Sequence, residues 1–458
     1  MFSKQEIKKA YGDINVAVSE SMAFAINEWD NMYCGRASWV NEKTGVCSLR
    51  IEQAIVREFS NTSVNEMEVT VSNPQLDCIF KNATKNLNKN LQRGLATGAM
   101  IIKPLGKDKV QYLPQSAFLP IEYDVNGRLV KVIFPEVKQI GDNDYCIRLE
   151  YHSLDKSGLS ITNRAFKSLD GLSLGREIPL SEVCGWETLP PIIHYPEMDR
   201  PAFGYYVNPI DNVIDGTFAG VSVFDSAKDL IRLADIQFGR LDWEFESGER
   251  RIDLDEAAFR EIESAGKEKG LEISRIYRSA GNMDELFKEF SPQLRQSDFI
   301  SGLEEYKREI EFAVGLSYGD ISDPQTVDKT ATEVKSSKQR KYDTVTAIQE
   351  NLRSCLDDLC YAFAFYNCLT QSGYKFSVNF EDSVLTDDET KRNQDRQDVA
   401  MGVMPLWEYR MRWYGEDEAT AKSMTLDSIA NVLDEVKLVT PNKSSEPAAG
   451  AQSHSKRR

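Results

Sequence analysis

A chain of 458 residues with 72 acidic against 55 basic side chains carries a formal charge of −17. That imbalance argues against a tight, non-specific nucleic-acid binder, whose affinity rests on many cationic contacts to phosphate. With 41% hydrophobic and 28% charged residues the composition is that of an ordinary soluble protein with ample buried surface. No stretch reaches the ~18 to 20 consecutive apolar residues of a membrane span. The first residues, MFSKQEIKKAYGDINVA, lack the apolar core of a signal peptide, so synthesis in the cytoplasm is the expectation. Eight cysteines without a C-x-x-C pair point to reduced thiols rather than a disulfide framework.

Ile7, Ala10, Ile14 and Val18 start an amphipathic helical pattern that Met22, Ala25, Ile26 and Trp29 continue up to a break at Gly35. Residues 48–60, SLRIEQAIVREFS, predict a second helix, residues 69–72 a short strand, and residues 76–96 a further helix with Gly94 and Gly98 near its end. From residue 101 to 151 the period changes to two. MIIKPLG, VQYLP, LVKVIFPE and YCIRLEYHSL read as strands, and Asp124, Asn126 and Gly127 mark a hairpin turn. Strand and turn character continues to about Tyr206, interrupted by Pro190, Pro191, Pro201 and Pro209. An α+β domain is expected over this part.

The next stretch holds two long helical patterns around a mixed insert. Ala227, Leu230, Ile231, Ala234, Phe238, Leu241 and Phe245 recur at steps of three and four, and so do Phe299, Leu303, Tyr306, Ile310 and Ala313. Gly319 stands where a helix C-cap belongs. The connecting insert returns the chain, which predicts an antiparallel pair of helices. Within the insert, residues 250–254 and 271–278 read as strands and residues 255–264 as a short helix. After the breaker Asp323-Pro324, Thr330 and Glu333 fit a capping box. Lys335, Lys338 and Lys341 follow at steps of three with Arg340 alongside, before Ile348, Leu352, Cys355, Leu356, Leu359, Phe363 and Tyr366 form an apolar stripe. The expectation is one helix with a wet, cationic first half and a buried second half.

Beyond it, residues 374–380 read as a strand, and residues 387–401, 406–414 and 416–438 as helices. The tail TPNKSSEPAAGAQSHSKRR is poor in apolar residues and is expected to be disordered. Catalytic signatures are missing. Gly106-Lys107 has Ile101 where a P-loop needs glycine, and neither G-x-S-x-G nor H-E-x-x-H occurs. His152 and His194 fall in strand or turn context and read as structural, while Asp357-Asp358 and Asp387-Asp388 read as solvated faces because neighbours on a helix diverge by about 100°. No catalytic residue, cofactor or metal ligand is assigned.

PAFGYYVNPIDNVIDGTFAGVSVFDSAKDLIRLADIQFGRLDWEFESGERRI, then FKEFSPQLRQSDFISGLEEYKREIEFAVGLSYGDIS and KTATEVKSSKQRKYDTV, resemble in that order the middle of a tailed-bacteriophage portal protein of the siphophage type. The similarity extends upstream through INEWDNMYCGRASWV and FLPIEYDVNGRLVKVIFPE, and downstream through EDSVLTDDETKRNQDRQDVAMGVMPLWEYRMRWYGEDEATAK. It lies in the succession of segments, not in one short motif. The resemblance implies an α+β, mainly α, portal fold. Its parts would be a wing over residues 1–210, a stem helix over 211–247, an α/β clip over 248–296 and a second stem helix over 297–319. A tunnel loop and helix start over 320–341, a long helix and wing return over 342–385, a helical crown over 386–440 and a tail over 441–458 would follow.

Leu230, Ile231, Phe238, Leu241, Leu303, Tyr306 and Ile310 would pack the stem, and Lys335, Lys338, Arg340 and Lys341 would border a DNA channel. The family further implies a homo-oligomeric ring, a dodecamer, through which a separate terminase large subunit drives double-stranded DNA. Head-completion or connector proteins, scaffold and major capsid protein would be the other partners, with no membrane, in the virion and, during assembly, in the host cytoplasm. An acidic wall with few cations would let DNA slide, because it offers no deep electrostatic trap. The rival readings are a scaffold or adaptor protein of the particle, which would lack the paired stem helices, and an enzyme acting on DNA.

Overall fold

The computed structural model describes residues 4–12, 14–248, 251–254, 260, 276–278, 287–290, 292–324, 331–370, 373–380 and 388–425. They form a mixed α+β structure in two compact units, Met1–Glu381 and Asp382–Arg458.

The first unit begins with α1 (Lys4–Tyr11), α2 (Glu20–Tyr33) and α3 (Ile51–Val64). The single amphipathic run expected up to Gly35 is two helices. Gly12 leaves the helix at φ +78°, and Ser19 restarts it as an N-cap, its Oγ accepting the Met22 N–H at 3.1 Å. β1 (Met67–Val71) is followed by α4 (Pro74–Thr84), which opens on Asn73 as cap and Pro74 in its first turn. α5 (Leu87–Thr97) then starts afresh, so the helix expected over 76–96 is also divided. Gly98 ends α5 at φ +100°, where a Cβ would stand 2.1 Å from the Gly220 carbonyl oxygen.

Nine strands follow: β2 (Ala99–Leu105), β3 (Lys109–Pro114), β4 (Leu119–Tyr123), β5 (Leu129–Gly141), β6 (Asp144–Asp155), β7 (Gly158–Ser168), β8 (Arg176–Ile178), β9 (Ile192–Tyr195) and β10 (Gly204–Val207). One antiparallel sheet runs β4-β5-β6-β7-β8 with β9 also on β7, and a second runs β10-β2-β3. The β4–β5 turn is the expected one, with Asp124 Oδ1 accepting the N–H groups of Asn126 and Arg128, both at 2.8 Å. α1 covers the larger sheet by setting Ile7 and Ala10 on Leu119, Ile133, Ile147 and Leu149. Phe118, Leu129, Phe134 and Phe203 fill the space beside Ile101 of the smaller one.

α6 (Lys228–Ser247) and α7 (Gln296–Val314) flank a three-stranded sheet in which β11 (Arg251–Leu254) lies between parallel β12 (Ile276–Arg278) and antiparallel β13 (Phe287–Phe290). β13 was not foreseen from sequence, while the expected helix over 255–264, apart from residue 260, and residues 271–275 of the expected strand lie outside the described residues. α7 stops at Gly315, φ +84°, four residues before the expected cap at Gly319. Thr330 of the expected capping box also lies outside them.

α8 (Ala331–Tyr366) then enters the body. Leu352, Cys355, Leu356, Leu359, Cys360, Ala362, Phe363 and Ala364 are fully buried, so this half is enclosed on most of its circumference and not along one stripe only. A Cβ on Gly204 of β10 would meet the Cys355 carbonyl oxygen at 2.3 Å, a measure of how closely the helix lies on the sheet. β14 (Phe376–Phe380) pairs antiparallel with β1, closing the unit.

In the second unit α9 (Asp388–Ala400) and α10 (Leu406–Tyr414) are held by polar contacts. Tyr409 Oη accepts from Arg392 Nε at 3.3 Å and Arg396 Nε at 3.0 Å, and Asp395 accepts from Arg412 and Trp413. Residues 418–425 are helical, and the rest of the helix expected to 438 and the tail lie outside the described residues.

Candidate functional site

The candidate site is the antiparallel pair α6–α7 together with the loop and helix start that follow. Its direction is fixed at three levels. Ser226 Oγ, just before α6, donates to Ala313 O at 2.9 Å, Gln237 reaches Phe299 O midway, and at the far end Glu244 is held by Arg295 through Nε at 3.1 Å and a second guanidinium nitrogen at 2.7 Å. Those bonds from Arg295 hold the Glu244 carboxyl below the usual carboxylate range. Of the residues expected to pack the pair, Ile231, Leu241, Leu303 and Ile310 are buried, and Leu230, Phe238 and Tyr306 are half-buried. Phe245, at the end of the α6 stripe, is exposed, as are Trp243 and Phe312.

α6 is also anchored to the N-terminal segment. Asp225 accepts the Trp29 indole N–H at 2.8 Å, Lys228 pairs with Glu28, and Asp235 accepts from Trp39 Nε1 and Leu49 N, both at 2.8 Å. Burial pushes the Asp235 carboxyl up. Beside it Glu52 of α3 is fully buried, neither carboxylate oxygen is bonded by another residue among those described, and desolvation, with Asp235 adding to it, pushes its pKa up to about 7.

The loop after α7 is built around one carboxylate. Glu311 is fully buried; its two oxygens accept from the backbone N–H groups of Gly319, Ile321 (2.6 Å) and Ser322 (2.8 Å) and from the Ser322 hydroxyl (2.9 Å). One heptad earlier Glu304 accepts the Asp323 N–H at 2.8 Å. Ser337 of α8 accepts the Tyr318 N–H at 2.8 Å, so the loop is fastened to both helices.

Lys338, Arg340 and Lys341 of α8 do not form one cationic face. Lys338 is exposed and has no ion-pair partner among the described residues. Arg340 stacks on Phe312, 4.5 Å from its ring centre, and points a nitrogen at Phe312 O. Lys341 is only 7% exposed and is bound between Glu58 of α3 at 2.6 Å and Asp320 of the loop at 3.1 Å. The reason is helical geometry: three residues advance about 300°, so Lys338 and Lys341 are about 60° apart, enough to turn one to solvent and the other to α3. Burial pushes the Asp320 carboxyl up against the pull of Lys341. The side chain of Lys335 lies outside the described residues.

Other charged groups act as structural fasteners. Asp358 is buried and accepts two bonds from Arg128 at 2.9 and 3.1 Å, so it departs from the solvated face expected, while Asp357, which accepts from Arg200 at 2.9 Å, stays partly exposed. Asp387 lies outside the described residues. Between the two sheets Glu150 receives Lys103 Nζ at 2.8 Å, Arg148 at 3.1 Å and His152 Nε2 at 2.7 Å. Burial favours the neutral acid, yet His152, Lys103 and Arg148 together hold Glu150 well below the usual range. His194 Nδ1 meets Ser160 Oγ at 2.9 Å. Among the described residues no group of three or more His, Cys, Asp or Glu side chains is placed to hold a metal, and no helix is long and apolar enough to cross a membrane. No protein-family model matches the chain, and no match is found among curated proteins.

Proposed function

We propose that the chain is a portal-type ring subunit that conducts double-stranded DNA at the head-to-tail vertex of a tailed phage. The observation that carries this reading is the succession α6, small sheet, α7, fastened loop, α8: two antiparallel helices joined at their far end by β11–β13, then a 36-residue helix running back into the α+β body. In this reading the body is the wing, α6 and α7 the stem, β11–β13 the clip, residues 315–324 the base of the tunnel loop, and the second unit the crown. The subunit has no catalytic task. A separate terminase supplies the work, connector proteins dock at the clip, and scaffold and capsid proteins surround the wing.

A ring suits this task because only a closed, head-to-tail set of contacts encloses a duplex. Lys338 is the described cation of the expected set that remains free to meet phosphate near the loop. Electron microscopy of the purified full-length protein, viewed end-on, tests the reading. Rings with a central opening are expected; solid particles or monomers only at the concentrations where assembly is tried would overturn it. ATPase or nuclease activity in the same preparation would favour an enzyme instead.

A further inference from the structure

Among the described residues β1 pairs with β14 on one side only, and hydrogen bonding shows which peptide groups face outward. The Ser72 N–H donates to Lys375 O at 3.0 Å, so by the alternation of an antiparallel ladder Thr70 and Glu68 also turn towards β14, while Val71, Val69 and Met67 turn away. The Val71 N–H accordingly donates outward, to Asp77 Oδ1 of α4 at 3.2 Å. Beyond Asp77 a groove of about 380 Å³ opens between Met67, Glu68, Val69 and Thr70 of the strand and Lys81, Thr84 and Lys85 of the helix. Among the described residues the outward Val69 N–H finds no partner. Lys85 is exposed and forms no ion pair among them, and Lys81 is 60% exposed while it leans on Asp77.

We propose that this groove receives an extended acidic peptide from a separate protein, which adds to β1 as a new strand. Main-chain bonds to Val69 would give the pairing, and carboxylates at alternate positions would meet Lys81 and Lys85. Lysines on the strand itself would guard an edge against pairing. These two stand across the groove, on the opposite wall from Glu68, where they attract carboxylates that lie in it.

The probe is a fluorescent, end-capped nonapeptide of alternating Glu and Val, titrated against the full chain by anisotropy. Saturable binding is expected, and the Lys–Val counterpart is expected to bind at least about tenfold more weakly. Val69→Pro removes the outward N–H and no ladder bond, so it should weaken binding about tenfold with the circular dichroism spectrum and melting unchanged. K81E/K85E should reverse the preference between the two peptides. Should V69P not fold, the same nonapeptide N-methylated at alternate residues replaces it, since it cannot pair as a strand. No saturation by roughly 1 mM peptide overturns the proposal. So does equal binding by V69P or by the N-methylated peptide. A V69P chain that changes oligomeric state without peptide binding overturns it as well, because the edge would then be a contact between copies.

Discussion

Glu311, at the loop after α7, and Glu52, at the junction of α3 with α6, are both fully buried carboxylates, and the protein treats them in opposite ways. Around Glu311 every direction supplies a donor: three backbone N–H groups and one hydroxyl converge on it, and the neighbouring charges Asp320 and Lys341 are paired with each other. Around Glu52 no other residue among those described donates to either oxygen, and the buried acid Asp235 acts against its charge more than Arg50 favours it. The first site answers burial with hydrogen bonds. The second answers burial by favouring the neutral acid, as its pKa of about 7 records. The loop is therefore gathered around its buried acid by hydrogen bonds, whereas Asp235 beside α3 takes the bonds from Trp39 and Leu49 and Glu52 is left desolvated.

That contrast predicts effects of opposite sign. Glu311→Ala should be the most damaging change. It strands four donors at once, and a destabilisation on the order of 4 kcal/mol is expected in urea unfolding. Glu311→Gln keeps one acceptor and should recover part of it. Hydrogen exchange at Gly319, Ile321 and Ser322 should rise in the alanine variant before any change in α6. Exchange rates like those of the parent chain would show that the carboxylate does not hold the loop.

Glu52→Gln should instead stabilise, and only in one pH range. A carboxyl whose pKa is about 4.5 in the unfolded chain and about 7 in the fold binds its proton more tightly when folded. The parent chain therefore loses stability as pH rises from about 4.5 to about 7, by up to about 3 kcal/mol, and the loss is complete above that range. The amide has nothing to ionise. Its advantage should be near zero at pH 4 and full at pH 8, and a constant difference across that range would mean that Glu52 is ionised in the fold. Lys341→Met should cost about 2 kcal/mol, less than a fully enclosed pair because Glu58 is partly exposed. Asp320 then keeps the Ser317 N–H but loses its cation, so the deficit should shrink as pH falls and the acid takes up a proton.

How much of this was legible in the sequence follows from where each property is decided. The apolar stripes of α6, α7 and the second half of α8 repeat along a single helix, so Ile231, Leu241, Leu303, Ile310, Leu359 and Phe363 could be read as buried directly. Helix ends were less legible. Gly315 and Gly319 both adopt positive φ, and only the first ends α7, because the second belongs to the loop that Glu311 gathers. β13 is four residues long and gains its identity from β11, more than thirty residues earlier in the chain. Within the candidate site the local sequence treats Lys338 and Lys341 alike. What separates them is Glu58, which lies 283 residues before Lys341. Glu311 did leave a trace, an acid beside Ile310 at the edge of an apolar stripe, a placement that calls for a buried partner.

The smallest effect on stability, and the most discriminating test of function, belongs to Lys338. Its side chain is exposed and unpaired among the described residues, so Lys338→Glu should change stability by no more than about 0.5 kcal/mol. Lys341→Met and Lys338→Glu thus separate two properties that the spacing of lysines had merged. Under the proposed function, the first should lower the yield of assembled rings through the fold. The second should leave rings intact and lower the DNA packaged per particle, an effect that added salt diminishes because it acts through phosphate. Normal packaging by the Lys338→Glu particle at low ionic strength would remove this residue from the channel. The start of α8 would then keep one demonstrated role, that of fastening the loop to α3.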